Sequence, residues 1–341
     1  MKPITTSISK TTILTAALCL MLCCCSEKQK PSTASVRYTF TPQSGLPEFS
    51  GAETFKLLKQ QVAFGPRVPG TDAHERGLDF ILQNLAGKAD TVIRCDFNIN
   101  GYNSETLALT NIIARFRKDS QARILIAAHW DSRPHADKAP DEKDRTKPVP
   151  GANDGASGTA VLLHLAGLLA IKAPSVGVDL LFIDGEDYGR DGDETMFCLG
   201  AKYFAGTKQP DYKPLFGILL DLVGDKEAEF LEEEFSRQYA PDVVKLVWNE
   251  AARLSLSHFR QAAGPGIYDD HVTINTTGGI KMIDIIDGAL VGQNTATPRR
   301  KYWHTTNDLP IQCSDETLGQ VGTLLMHIIH GLSAVSQDGN R

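Results

Sequence analysis

The chain has 341 residues, 42% of them hydrophobic, and a formal net charge of −6. That length and apolar content suffice for one large domain or two small ones, with a core that needs no disulfide support. An acidic balance without a basic stripe argues against a nucleic-acid binder and against acidic substrates.

At the N-terminus, Lys2 and Lys10 precede an apolar run over residues 13–22, too short to span a bilayer as a folded helix. It reads as the h-region of an export signal. Cys23, Cys24 and Cys25 follow, then a polar stretch from Ser26. A Leu three residues before a Cys at such a boundary resembles the lipobox of bacterial lipoproteins, which makes Cys25, with Leu22, the preferred acylation site. Cys24 with Met21 and Cys23 with Leu20 have the same spacing, and a plain secretory signal is the simpler alternative. The resemblance implies a signal over residues 1–24 and an exported lipoprotein anchored to a membrane through its N-terminal lipid, facing the periplasm or the cell exterior. Residues 25–50, rich in Ser, Thr, Pro and Lys without a helical or strand period, read as a flexible tether. The folded domain is then expected over residues 51–341.

Residues 55–58 and 77–85 place apolar side chains at helical spacing, and residues 64–71, with two prolines and two glycines, must be a loop between them. Residues 92–99, 107–116, 123–129, 178–183, 215–222 and 280–286 are apolar or alternating and rich in β-branched residues, as strands are. A buried helix fits residues 157–171. Two more fit 241–256, opened by Pro241, and 315–335, capped by Ser314. Strands interleaved with helices predict the α/β class: a single globular domain whose central mixed, mostly parallel β-sheet is flanked by helices on both faces.

In such sheets ligands bind beyond the carboxyl ends of the strands, so polar residues that end apolar runs are the ones to inspect. One run ends in His129-Trp130-Asp131, another in Asp184-Gly185-Glu186-Asp187, a third in Asp221, and Asp154 sits in a Gly-rich loop just before the buried helix. A single strand-end Asp is as often a turn or cap residue. Several together repel one another unless a cation or shared protons offset the charge. His and carboxylate donors without cysteine suit zinc, and three protein ligands with an open fourth position are the pattern of a catalytic site. Cys95, Cys198 and Cys313 show no C-x-x-C spacing. His164 reads as a core histidine, and His74, His135, His258, His327 and His330 as packing or surface residues. Residues 138–147 read as a solvated loop, and 225–234 as an acidic segment not assigned to metal.

The ordered series His129-x-Asp131-Ser132, residues 151–158, Glu186-Asp187, Asp221 and a late His304 resembles the zinc aminopeptidase superfamily across residues 50–335. Within it, Val149-Pro150-Gly151-Ala152, Asp269-Asp270-His271 and Trp303-His304-Thr305 resemble the animal-type glutaminyl-peptide cyclotransferases more than the peptidases. That resemblance implies one zinc ion per chain on Asp154, Asp187 and His304, with Glu186 as general acid/base in a hydrogen-bonded network with Asp221 and Asp269. It implies a substrate pocket walled by Trp303, with Ile267 and Phe197 as further wall candidates, and His129, Asp131 and His271 as candidate supports. The activity implied converts the N-terminal glutamine of peptides or proteins to pyroglutamate with release of ammonia, zinc acting as a Lewis acid. The alternative is a two-zinc aminopeptidase in which His129 and Asp221 hold the second metal and Asp154 bridges; a non-enzymatic surface lipoprotein is the third reading. The chain departs from the pattern in having Asp187 where the superfamily commonly has Glu, Ala128 where many animal members have Cys, and no tryptophan in residues 188–197, where Phe197 or Met196 is left to fill that role.

Overall fold

The computed structural model describes residues 37–291 and 301–335; the expected signal, Cys23, Cys24, Cys25 and the first part of the expected tether lie outside the described residues. No described helix is long and apolar enough to cross a membrane. In chain order the elements are β1 (Arg37–Phe40), α1 (Gly51–Val62), α2 (Asp72–Leu85), β2 (Thr91–Asn100), β3 (Thr106–Phe116), β4 (Arg123–His129), α3 (Ala156–Ile171), β5 (Gly177–Ile183), α4 (Leu199–Thr207) and β6 (Gly217–Asp221). There follow β7 (Phe230–Glu232), α5 (Glu234–Tyr239), α6 (Pro241–Arg253), β8 (Phe259–Ala263), α7 (Asp270–Thr276), β9 (Met282–Ile286), α8 (Gly288–Val291), α9 (Asp315–Gly331) and β10 (Leu332–Val335).

The main sheet has the order β2-β3-β5-β4-β6-β9. The pairs β2–β3 and β3–β5 are antiparallel, and the remaining three are parallel. Every residue of β4 and β5 is buried, as parallel strands covered on both faces require. Ile124, Ile126 and Ala128 join the larger core with α3 and α9, whereas Leu125 and Ala127 join a smaller one with α4 and α7. Helix α3 is apolar on nearly all sides because it is enclosed between the sheet and α1 and α9. Each Leu or Val it buries contributes about 2 kcal/mol by leaving water. The helix approaches the sheet closely at Gly158, where a Cβ would meet the Leu220 carbonyl oxygen at 2.6 Å.

Two expectations need correction. Residues 37–40 and Phe49, expected within the tether over 25–50, belong to the fold, since β1 pairs antiparallel with β10 and Phe49 is buried against α9, where a Cβ on Gly322 would run into its ring. A four-residue strand with one half-buried face leaves too little pattern to read. The helix expected over 315–335 ends at Gly331, and its last four residues turn into β10. Short elements, α4, α5, α7, β7 and β8, were not anticipated either.

Candidate metal centre and catalytic cleft

Strands β4, β5 and β6 run parallel, so the polar residues that end them, His129, the turn after Ile183 and Asp221, meet at one edge of the sheet. The loop before α3 adds Asp154 and the 301–309 segment adds His304. His304 Nε2 lies 3.7 Å from Asp154 Oδ2 and 3.5 Å from Asp187 Oδ1, and one donor atom from each of the three lies within 4.8 Å of the others. All three side chains are buried.

Neighbouring segments position them. Asp308, four residues after His304, accepts the backbone N–H groups of Asn153 (2.8 Å) and Asp154 (3.0 Å). The buried Arg67 donates to the carbonyls of Trp130, Pro150 and Gly151, tying the Gly-rich loop to the end of β4. Gly155, at φ +94°, turns that loop into α3 at a point where a Cβ would strike the Asp131 carbonyl. Asp131 accepts the backbone N–H groups of Glu186 (3.1 Å) and Asp187 (3.2 Å), and Arg133 Nη1 donates to Asp187 Oδ1 at 2.6 Å. His304 takes a left-handed φ of +54°, unusual for a non-glycine residue, with the Trp303 ring stacked 3.6 Å from its imidazole.

The donors fit a zinc ion. They are two carboxylates and an imidazole, and Asp187 Oδ2 is buried with no hydrogen-bond partner among the described residues. Burial, with Arg133, Lys138 and His129 nearby, holds His304 well below the ordinary histidine range, which leaves the neutral imidazole a metal requires. Burial and mutual repulsion push the acids the other way: Glu186 is raised well above its usual value by burial, Asp187 and Asp269, and Asp187 by burial and Asp154. Asp221 is pushed to about 7 by burial and Asp154 against the pull of His129. Carboxylates that resist ionising together are the electrostatic signature of a cation site.

Glu186 sits between two groups of acids. Its carboxyl, the Cys198 thiol and the Asp269 carboxyl have donor atoms within 4.8 Å of one another, with Cys198 Sγ 3.6 Å from Glu186 Oε1. Behind Asp269 lie His271 and Asp284, also mutually within 4.8 Å, and His271 Nε2 is 3.2 Å from Glu233 Oε2. His129 Nε2 lies 3.2 Å from both Asp154 and Asp221, and its Nδ1 is 3.4 Å from Asp131. Burial opposes the charge on His129, but hydrogen bonds to these three acids raise it well above the usual histidine value.

A cleft of about 280 Å³ opens over Glu186, Asp187 and His304, with Trp303, Ile267 and Phe197 among its walls. Phe197 thus borders the cleft beneath the Arg133 guanidinium, whereas Met196 packs in the cluster around Phe97 and Tyr188. Asp184, the other strand-end acid, faces away from the cleft: it accepts the Thr110 N–H and bonds His74, which stacks on Trp130. His164 accepts the Ser50 N–H, a structural contact. Sequence reasoning missed Arg133, Cys198, Glu233, Asp284 and Asp308. A charged residue inside the apolar run 280–286 was the one plain signal among them, because an acid amid core residues needs a partner.

Comparison with known proteins agrees with this geometry. A crystal structure of glutaminyl cyclase from Tannerella forsythia is 38% identical, covers 83% of this chain and 99% of its own, and superposes with a TM-score of 0.78. A zinc-dependent exopeptidase from Parabacteroides distasonis is 35% identical, covers 84% of this chain and 99% of its own, and also superposes with a TM-score of 0.78. A probable zinc metalloprotease of Leptosphaeria maculans is 32% identical over 124 residues, 36% of this chain and 26% of that protein, so the match spans about a quarter of this relative's length. Residues 111–329 match peptidase family M28, a stretch that takes in Asp154, Asp187 and His304 together with the acids around them. This chain therefore belongs to peptidase family M28, within the zinc aminopeptidase-like superfamily.

Proposed function

We propose that the chain is a glutaminyl-peptide cyclotransferase, closing the N-terminal glutamine of peptides or proteins into pyroglutamate with loss of ammonia. The observation that carries this reading is the position of Glu186, between the Asp154–Asp187–His304 donors and Asp269 in a cleft walled by Trp303 and Ile267. The likeness to glutaminyl cyclases supports it.

In this reaction the substrate's free α-amine attacks its own γ-carboxamide carbon; a C–N bond forms, the amide C–N bond breaks, and no water is consumed. A zinc ion held by Asp154, Asp187 and His304 supplies Lewis acidity toward the γ-carbonyl oxygen when bound. Glu186 takes the proton from the attacking amine and delivers it to the departing nitrogen. Burial and the neighbouring Asp187 and Asp269 raise its affinity for that proton. The apolar walls exclude water and favour the bent substrate that ring closure needs. As the attacking amine must be neutral, activity rises into mildly alkaline pH, near an α-amine pKa of about 8.

A second reading rests on one observation: donor atoms of His129, Asp154 and Asp221 converge as closely as the first set, as a two-metal aminopeptidase would need. Mass analysis of a Gln-initiated and a Leu-initiated peptide after incubation separates the two. Ammonia loss from the first alone supports cyclisation, and release of leucine overturns it; a zinc content of one per chain rather than two points the same way. We further propose export and lipid anchoring at Cys25, which would place the enzyme at a membrane surface; incorporation of a labelled fatty acid that a Cys25→Ala variant loses is the check.

A further inference from the structure

Away from the catalytic cleft lies a larger cavity, of about 510 Å³, between the start of β4, the far end of β3 and the segment after α4. Beneath it Asp179 on β5 is fully buried. Its Oδ2 accepts Arg123 Nε at 2.9 Å and the Tyr212 hydroxyl at 2.7 Å, and its Oδ1 is 3.5 Å from Arg115 Nε. Two guanidinium groups therefore share one carboxylate, and one positive charge remains without a counter-ion. Arg123 is only 8% exposed; its Nη1 reaches the Ser120 carbonyl at 2.9 Å, while its Nη2 and Arg115 Nε have no hydrogen-bond partner. Arg123 is paired with Asp179, so the charge in excess is that of Arg115, whose side chain is 31% exposed, lines the cavity and can take a bound anion.

The rim adds Lys208 and Lys213 beside Asp211, and Lys118, which pairs with Asp119 at 3.0 Å, although the chain as a whole is net negative. Ile93, Ile113, Tyr203 and Phe204 supply the apolar part of its walls. None of these residues takes part in the metal centre. We propose that this cavity binds a small organic oxyanion, its carboxylate or phosphate head taken by Arg115 with the rim lysines and its apolar body by Ile113 and Phe204. Guanidinium groups suit such heads because their donors pair with two oxygens.

Cys95 gives a local readout, for it borders the cavity, and Cys198 and Cys313, the other described cysteines, are buried. The full-length, zinc-loaded protein is alkylated with iodoacetamide, and modification of Cys95 is followed by peptide mass mapping, with phenyl phosphate, benzoate or the neutral benzyl alcohol present. Saturable protection by at least one oxyanion and none by benzyl alcohol is expected, and the stronger of the two identifies a phosphate or a carboxylate head. Arg115→Gln should raise the half-protecting concentration about tenfold, as loss of a charge-assisted contact does. The rim variant Lys208→Gln, which gives up only a 3.5 Å contact to the Tyr212 carbonyl, should raise it a few-fold. Alkylation at the same rate with and without both oxyanions at about 10 mM, beyond the range of a specific site, overturns the proposal. So does protection of equal strength in both variants and the wild type.

Discussion

At the carboxyl ends of β4, β5 and β6 the chain gathers Asp131, Asp154, Glu186, Asp187 and Asp221, whereas at the opposite end of β4 it gathers Arg115, Arg123 and three lysines. Both clusters put like charges close together, but they are built differently. The acids are buried or partly buried, and two of the proposed ligands have a dedicated holder, Asp308 for the Asp154 backbone and Arg133 for the Asp187 carboxylate. The cations come from separate segments, and the two arginines share one buried carboxylate. A site fixed in advance for a small ion and a cavity that leaves its charge open to a larger anion are thus two ends of a single strand.

The sharpest way to separate metal holding from proton transfer at the acid end is Glu186→Gln. Turnover should fall by about 10²–10⁴ while zinc content stays unchanged, measured by single-turnover kinetics beside metal analysis. Loss of zinc in that variant would move Glu186 into the ligand set. Next in size, Arg133→Gln frees Asp187 Oδ1 from its charged partner, and a loss of about 10–100-fold in zinc affinity or activity is expected, read by chelator competition.

The third prediction concerns stability. Burial works against the charge on Glu233, yet His271 and the N–H groups of Ile267 and Ser236 hold its carboxyl at about 2, below the usual 4.5. A folded-state value below the unfolded one means that this stabilisation is fully present above about pH 4.5 and is lost as pH falls toward about 2, by no more than about 3 kcal/mol. Denaturant titrations of the wild type and Glu233→Gln across that window should converge at the acid limit. The smallest effect belongs to the cation end: Lys208→Gln should change cyclisation by less than about twofold, since surface substitutions away from a site are near neutral. A larger change would mean that the two ends of β4 communicate.

The chain's sequence exposed the acid end because the abrupt change from Leu180-Leu181-Phe182-Ile183 to Asp184-Gly185-Glu186-Asp187 is local and needs no knowledge of packing. It did not say which of those acids faces the cleft; Asp184 turns inward to Thr110 and His74, and Gly185, at φ +70°, turns the chain before Glu186, so strand alternation no longer tells the side. The cation end was invisible, as Arg115, Lys118, Arg123, Lys208 and Lys213 are ordinary residues of strand ends and loops until the sheet brings them round one space. β1 escaped for another reason: its partner is some three hundred residues away, on β10 (Arg37↔Val335).

The Asp131 carboxylate, which accepts the N–H groups of both Glu186 and Asp187, has a mechanical consequence. One clamp grips two successive peptide units, so the proposed proton carrier and the proposed metal ligand move as one rigid piece. A disturbance of that turn, by heat, by ligand loss or by substitution of Asp131, would displace both together, and partial damage at this point should leave molecules that are either fully competent or inert.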